Sequence, residues 1–149
     1  LSRLFGNKIR KGEPFIAEGV EVLVNKIFVD PTIDMITDEM VTVIIQFSTK
    51  PAVEAMAIAK KSGIPLSLEN ANWAVKHSHE RFQEEVKRYL VSKQIPYTIN
   101  HVYQSVLNGV SMTLPGKDIK SLLQFKEIES IHANKQYQID PPNTITNYE

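Results

Sequence analysis

The chain has 149 residues, 42% of them hydrophobic, with seventeen Lys and Arg balanced by seventeen Asp and Glu and no cysteine. That length and apolar content support one packed core with extensions rather than two full domains, and the balanced charge gives no field that would draw a nucleic acid or an anionic membrane. No apolar run reaches the ~18 residues of a membrane span, no basic-then-apolar leader opens the chain, and without cysteine there is neither a disulfide framework nor thiolate chemistry.

Residues 1–13 are mixed in character, with Gly6 and Gly12, and read as a lead-in; the start at Leu1 without Met reads as that of a fragment. Between Pro14 and Phe28 the apolar residues Ile16, Val20, Leu23, Val24 and Ile27 fall at helical spacing, which predicts a helix over 14–28 despite Gly19, ended by Asp30 and Pro31. Residues 1–39 together are expected to be an N-terminal extension. Residues 41–48, VTVIIQFS, are rich in β-branched side chains and predict a buried strand. The alanine-rich 50–61 predicts a short helix closed by Ser62, Gly63 and Pro65. A longer helix follows over 67–93, with Ala74, Phe82, Val86, Tyr89 and Leu90 on one stripe and Lys76, Glu80, Glu84, Lys87 and Arg88 elsewhere.

Pro96 stops that helix, and residues 97–107 have strand composition. Asn108-Gly109 then stands between two strand-like runs, the pair a type I′ turn favours because both central positions need positive φ, and it predicts a tight hairpin. Val110, Met112 and Leu114 alternate with Ser111 and Thr113, as in a strand with one buried face. Ile119, Leu122 and Leu123 predict one short amphipathic helix over 116–125, and 128–133, IESIHA, a last strand. The order from Val41 is βαββαβ. This predicts an α+β, ferredoxin-like sandwich, a four-stranded antiparallel sheet with helices on one face and the other face bare. A bare face must be solvated or docked on a partner.

The segments VYQSVLNGVSMTL at 102–114 and GKDIKSLLQFKEIESIHA at 116–133 resemble the subtilisin-propeptide inhibitor family in order and spacing, through Tyr103, Asn108, Gly109, Thr113, Leu114, Ile128 and Ile131. The strand at 41–47 followed by KPAV, and the helix holding HSHERF at 77–82, are similar to the first half of the same family. The long insert between them is most similar to prodomains of large secreted bacterial subtilases.

The resemblance implies a prodomain over 40–137 that acts as intramolecular chaperone and temporary active-site inhibitor of a subtilisin-like serine protease. The catalytic domain would lie in cis, C-terminal to this fragment, with cleavage beyond Glu149 and secretion of the precursor. It implies that the bare sheet face receives two protease helices, with Tyr103, Asn108 and Gly109 in the docking sheet and turn. Near the end of the last strand the family carries acidic groups that cap those helices; here His132 and Asn134 stand at those positions. An extended tail over 138–149 would lie across the active-site cleft as an added strand. Asp140, Pro141 and Pro142 favour extended backbone there, and Tyr137, Gln138, Ile139 and Asp140 would lead toward the subsites.

No catalytic residue, cofactor or metal is expected. There is no GxSxG elbow and no glycine-rich phosphate loop, and the chain is too short to hold a subtilisin catalytic domain. His77 and His79 with Glu80 and Glu84 invite a metal reading, but His-x-His diverges on a helix and no HExxH occurs. His101 reads as a structural histidine, although the histidines also invite a pH-sensing reading. Trp73 and Tyr103 as base-stacking platforms lack flanking basic clusters. A small-molecule regulatory domain of the same fold and a free-standing inhibitor acting in trans remain as alternatives.

Overall fold

The computed structural model describes residues 14–17, 20–23 and 26–134. In place of the helix expected over 14–28, the backbone forms two short strands, β1 (Pro14–Ala17) and β2 (Val20–Leu23), paired antiparallel with Phe15 opposite Val22 and Ile16 opposite Glu21. A short apolar run satisfies helix and strand periods alike. With Gly19 weakening a helix, the β-branched Val20 and Val22 favour extended chain.

The end of the same stretch forms a third strand, β3 (Phe28–Val29), which joins the main sheet. Asp30 fixes its exit. Its backbone N–H donates to the Ile131 carbonyl at 2.9 Å, and its carboxylate accepts from Thr32 N at 3.0 Å and Ala133 N at 3.2 Å. The chain then loops through the buried Ile33 to β4 (Met40–Phe47), the predicted buried strand.

Two helices follow β4. The first, α1 (Ala52–Lys61), buries only Ala52 and packs on the second, leaving Val53 and Ile58 exposed. The second, α2 (Leu68–Tyr89), begins at Ser67, whose hydroxyl accepts from Asn70 N at 3.0 Å, an N-cap that satisfies one otherwise orphaned donor. Its inner stripe is Ala71, Val75, Ser78, Phe82 and Val86. Tyr89 is only partly buried, and Leu90 is the C-cap. A single 3-10 turn (Val91–Lys93) then ends on Gln94 in the left-handed conformation, φ 59°.

Strand β5 (Thr98–Tyr103) leads to β6 (Gly109–Pro115) and to a 3-10 helix (Gly116–Gln124), with β7 (Ile128–Ala133) last. The predicted amphipathic helix is therefore 3-10 in geometry. Three residues per turn stack i and i+3 in one line, and Gly116, Ile119, Leu122 and Phe125 are all buried along it. In α geometry that line would drift away from the sheet.

The sheet order is β3-β7-β4-β6-β5. From β4 onward this is the ferredoxin-like arrangement, with the last strand beside the first and the hairpin strand β6 on its other side. The expectation of four antiparallel strands needs one correction: β3 adds a fifth strand, parallel to β7, so the sheet is mixed. Phe82, Val86 and Leu90, with Ile119, Leu122 and Phe125, meet Val43, Ile45, Val110, Met112, Leu114 and Ile131 in one core, all with no exposed surface. Full burial of such side chains contributes roughly 1.5–3 kcal/mol each.

The predicted type I′ hairpin is also corrected. Tyr103 pairs with Gly109, so five residues, 104–108, connect the strands, and neither Asn108 nor Gly109 has positive φ. Asn108 is buried and Gly109 opens β6 opposite Gln46. A Cβ at Gly109 would collide with the carbonyl oxygen of Ile45. Close backbone approach, not a turn conformation, is what demands glycine there.

Candidate functional site

Alternation along the strands divides the sheet into two unlike faces. Toward the helices point Val43, Ile45 and Phe47 of β4, Val110, Met112 and Leu114 of β6, and Ile128 and Ile131 of β7. Away from them point Thr42, Ile44 and Gln46 of β4, Ser111 and Thr113 of β6, and Ser130 and His132 of β7. Register adds Thr98, His101 and Tyr103 from β5, and Phe28, opposite Ser130, from β3. β4 lies at the centre of the sheet, yet Thr42, Ile44 and Gln46 are only half-buried. A central strand under a second layer would be closed on both sides, so this face is open at Thr42, Ile44 and Gln46, while the smaller Ser111 and Ser130 beside them are buried.

The open face is polar, and its groups bond laterally. The Thr42 and Thr113 hydroxyls lie 2.7 Å apart, and Asn100 Nδ2 donates to Thr113 Oγ1 at 2.8 Å. Ser130 Oγ donates to Gln46 Oε1 at 3.2 Å, and His132 Nε2 lies 2.9 Å from Ser130 Oγ. Because the Ser130 proton goes to Gln46, this chain assigns the ring proton of His132 to Nε2. In the neutral imidazole Nδ1 is then an acceptor. His132 can thus receive one backbone N–H, the part the resemblance gives to a carboxylate, but without a negative charge to add to it.

Asn134 is exposed just after β7, with its N–H 3.4 Å from the Thr42 carbonyl. The carboxylates nearest in sequence are engaged elsewhere. Glu127 is buried under Arg81, with Nε and Nη2 both 2.9 Å from Oε1, while its Oε2 accepts from Thr49 Oγ1 at 2.9 Å. Glu129 Oε1 lies 3.6 Å from Lys50 Nζ. The expected tail residues Tyr137, Gln138, Ile139 and Asp140 lie outside the described residues.

The structure separates residues that the sequence suggested would act together. Tyr103 stands on the open face, its ring 6.2 Å from that of His101. Asn108 instead points into the molecule. Its Nδ2 donates to Thr49 O and to Ser78 Oγ, each at 2.9 Å, and its Oδ1 accepts from His79 Nε2 at 2.8 Å. It therefore ties β6 to α2 and to the end of β4. His77 turns away, its ring 4.0 Å from Trp73 and its Nδ1 3.3 Å from Glu80. Among the described residues no three His, Cys, Asp or Glu side chains gather as metal ligands, and no helix is long and apolar enough to cross a membrane.

Sequence reasoning missed Ile44, Phe28 and the Gln46–Ser130–His132 chain. The signal for Ile44 and Gln46 was present, because VTVIIQF alternates once the inward set is fixed. No signal marked Phe28, which only the pairing of β3 with β7 places.

Fold and face together define an α+β module with one side of the sheet given to its own core and the other left open along its central strand. The family described as peptidase inhibitor I9 matches residues 42–140, and the chain belongs to it. It is thus a peptidase inhibitor domain, homologous to the propeptides of subtilisin-like proteases. Over 108 residues, 72% of this chain, it is 29% identical to the minor extracellular protease Vpr of Bacillus subtilis (strain 168). Those residues make up 12% of that protein, so the chain spans a small part of its relative. No solved structure gives a significant match.

Proposed function

We propose that this chain is the prodomain of an extracellular subtilisin-like protease, made in cis with it, and that it assists folding of the catalytic domain and then blocks its active site. The observation that carries this is the half-exposed row Thr42, Ile44 and Gln46 at the centre of an otherwise closed sheet. Two surface helices of a protease fit such a face, with His132 Nδ1 and the Asn134 side-chain carbonyl oxygen accepting hydrogen bonds from helix N-terminal N–H groups. A subtilisin-like domain is built on a parallel sheet with distant pairings, which forms slowly and is exposed to aggregation on the way. A preformed sheet that holds two of its helices together lowers that barrier.

The face alone is small. Four full strands span about 19 Å across and about 20 Å along, or about 400 Å² in projection, against ~800 Å² per partner for a stable complex. The segment after β7 supplies further contact in this reading, laid in the cleft as an added strand with Tyr137 and Ile139 toward apolar subsites.

The test mixes the 149-residue chain with the catalytic domain encoded downstream of it. Slowed peptide hydrolysis at micromolar prodomain and a higher refolding yield of the protease are expected. Ile44→Lys, at the centre of the face, should abolish both effects without lowering the melting temperature by more than a few degrees. Full hydrolysis in the presence of the unaltered chain refutes the reading, and a reading frame that closes without a catalytic domain refutes the cis arrangement.

A further inference from the structure

We infer that β3 is a specificity element of the docking face, in which Phe28 extends the sheet surface onto an apolar side chain of the partner protease. The inference rests on the docking reading above and adds to it a residue outside the matched family region, which begins at residue 42. Register places Phe28 opposite Ser130, on the same side as His132 and Gln46. Phe28 is 56% exposed although it sits in a sheet, and its ring centroid lies 5.7 Å from that of the His132 imidazole, at 43°.

The position is built, not frayed. Phe28 is followed by the Asp30 clamp to Ile131 and Ala133, while Val29 and Ile33 pack against the core. An aromatic held this way presents area at little entropic cost, which is why such residues dominate binding energy at interfaces. The neighbouring face carries hydroxyls, amides and imidazole, with Ile44 and Tyr103 as its other apolar groups. Phe28 therefore lies at the margin where β7 would otherwise be an open edge, and it widens a face too small for a stable complex.

The chemistry opposite it follows. Phe28 and the His132 imidazole, tilted at 43° to each other, form an adjoining aromatic pair that can pack on an aliphatic or aromatic side chain. A carboxylate there would lose water against the electron-rich face of the Phe28 ring. The partner is accordingly a subtilisin-like catalytic domain with an apolar residue beside the helix that meets His132. A protease with a carboxylate at that position should be inhibited less well.

The experiment measures inhibition of the cognate protease by the 149-residue chain and by Phe28→Ser and Ile44→Lys. Phe28→Ser is expected to raise the inhibition constant about tenfold, with the fold retained by circular dichroism. Hydroxyl-radical footprinting of the unaltered chain should show Phe28 oxidised less in the complex than alone, and this readout needs no variant to fold. An inhibition constant within twofold of the unaltered chain, or Phe28 oxidation unchanged on binding, overturns the role of β3 while Ile44→Lys still tests the docking face. An unaltered chain that does not inhibit overturns the docking reading itself.

Discussion

Replacing Asn108 separates two accounts of the same dipeptide. In a type I′ turn, Asn108→Gly and Asn108→Asp would both be tolerated, since glycine and aspartate suit positive φ. In the structure Asn108 is 1% exposed and makes three hydrogen bonds, donating to Thr49 O and Ser78 Oγ and accepting from His79. At ~0.5–1.5 kcal/mol each, with buried partners left unpaired, Asn108→Gly should cost about 2–4 kcal/mol. For a domain of this size that is roughly a 10 °C fall in melting temperature. Asn108→Asp should cost at least as much, because a carboxylate cannot donate and would face the Thr49 carbonyl. Urea unfolding followed by circular dichroism reads both variants against the unaltered chain. A change within about 0.5 kcal/mol for Asn108→Gly would refute the buried-network account.

Three further changes probe neighbouring features. Gly109→Ala forces β6 away from the Ile45 carbonyl and should lower stability by more than about 3 kcal/mol or prevent folding, read by expression yield and thermal melting. Arg81→Ala strips the buried Glu127 carboxylate of both guanidinium contacts. Because Arg81 is itself half-exposed, the loss should be about 1–3 kcal/mol in urea unfolding, below that of a fully buried pair. Gln94→Gly removes a non-glycine residue from the left-handed region at an exposed helix end and should stabilise by about 0.5–1 kcal/mol, seen as a higher melting temperature.

The parts of this fold that were legible in sequence are those where a single period dominates. Val110, Met112 and Leu114 alternate without interruption, and the run at 41–45 is β-branched throughout, so both strands and their buried face could be read directly. The stripe through Phe82 and Val86 was legible for the same reason at period 3.6. Residues 14–28 were not, because short apolar runs fit both periods and the deciding contacts are with other strands. Asn108-Gly109 misled for a sharper reason. The dipeptide is a local signal, whereas its residues here answer to distant partners, Ser78 and His79 across 30 and 29 positions and the Ile45 carbonyl on β4. Tertiary contact overrode turn chemistry. The candidate site was legible only as a class, since alternation predicts an open face but not which edge strand completes it.

The composition of that face explains how one surface can be tolerated by water and also covered by a protein. A bare apolar sheet would dock well but aggregate before its partner arrived. A sheet of unpaired hydroxyls would stay soluble but lose its hydrogen bonds to water on docking, at about 1–3 kcal/mol for each group left unsatisfied. Here Thr42 with Thr113 and Asn100, and Gln46 with Ser130 and His132, satisfy one another along the sheet. Covering them strands few donors or acceptors, so the desolvation cost stays low while the methyl groups of the threonines, Ile44 and the Tyr103 ring supply contact. Ser111 follows the same logic from the other direction. Its hydroxyl is already buried without a partner among the described residues, so a docked protease removes no water bond from it. The affinity of such a face comes from shape and from its few apolar groups, which is why a single charge at Ile44 should outweigh the loss of any one hydroxyl.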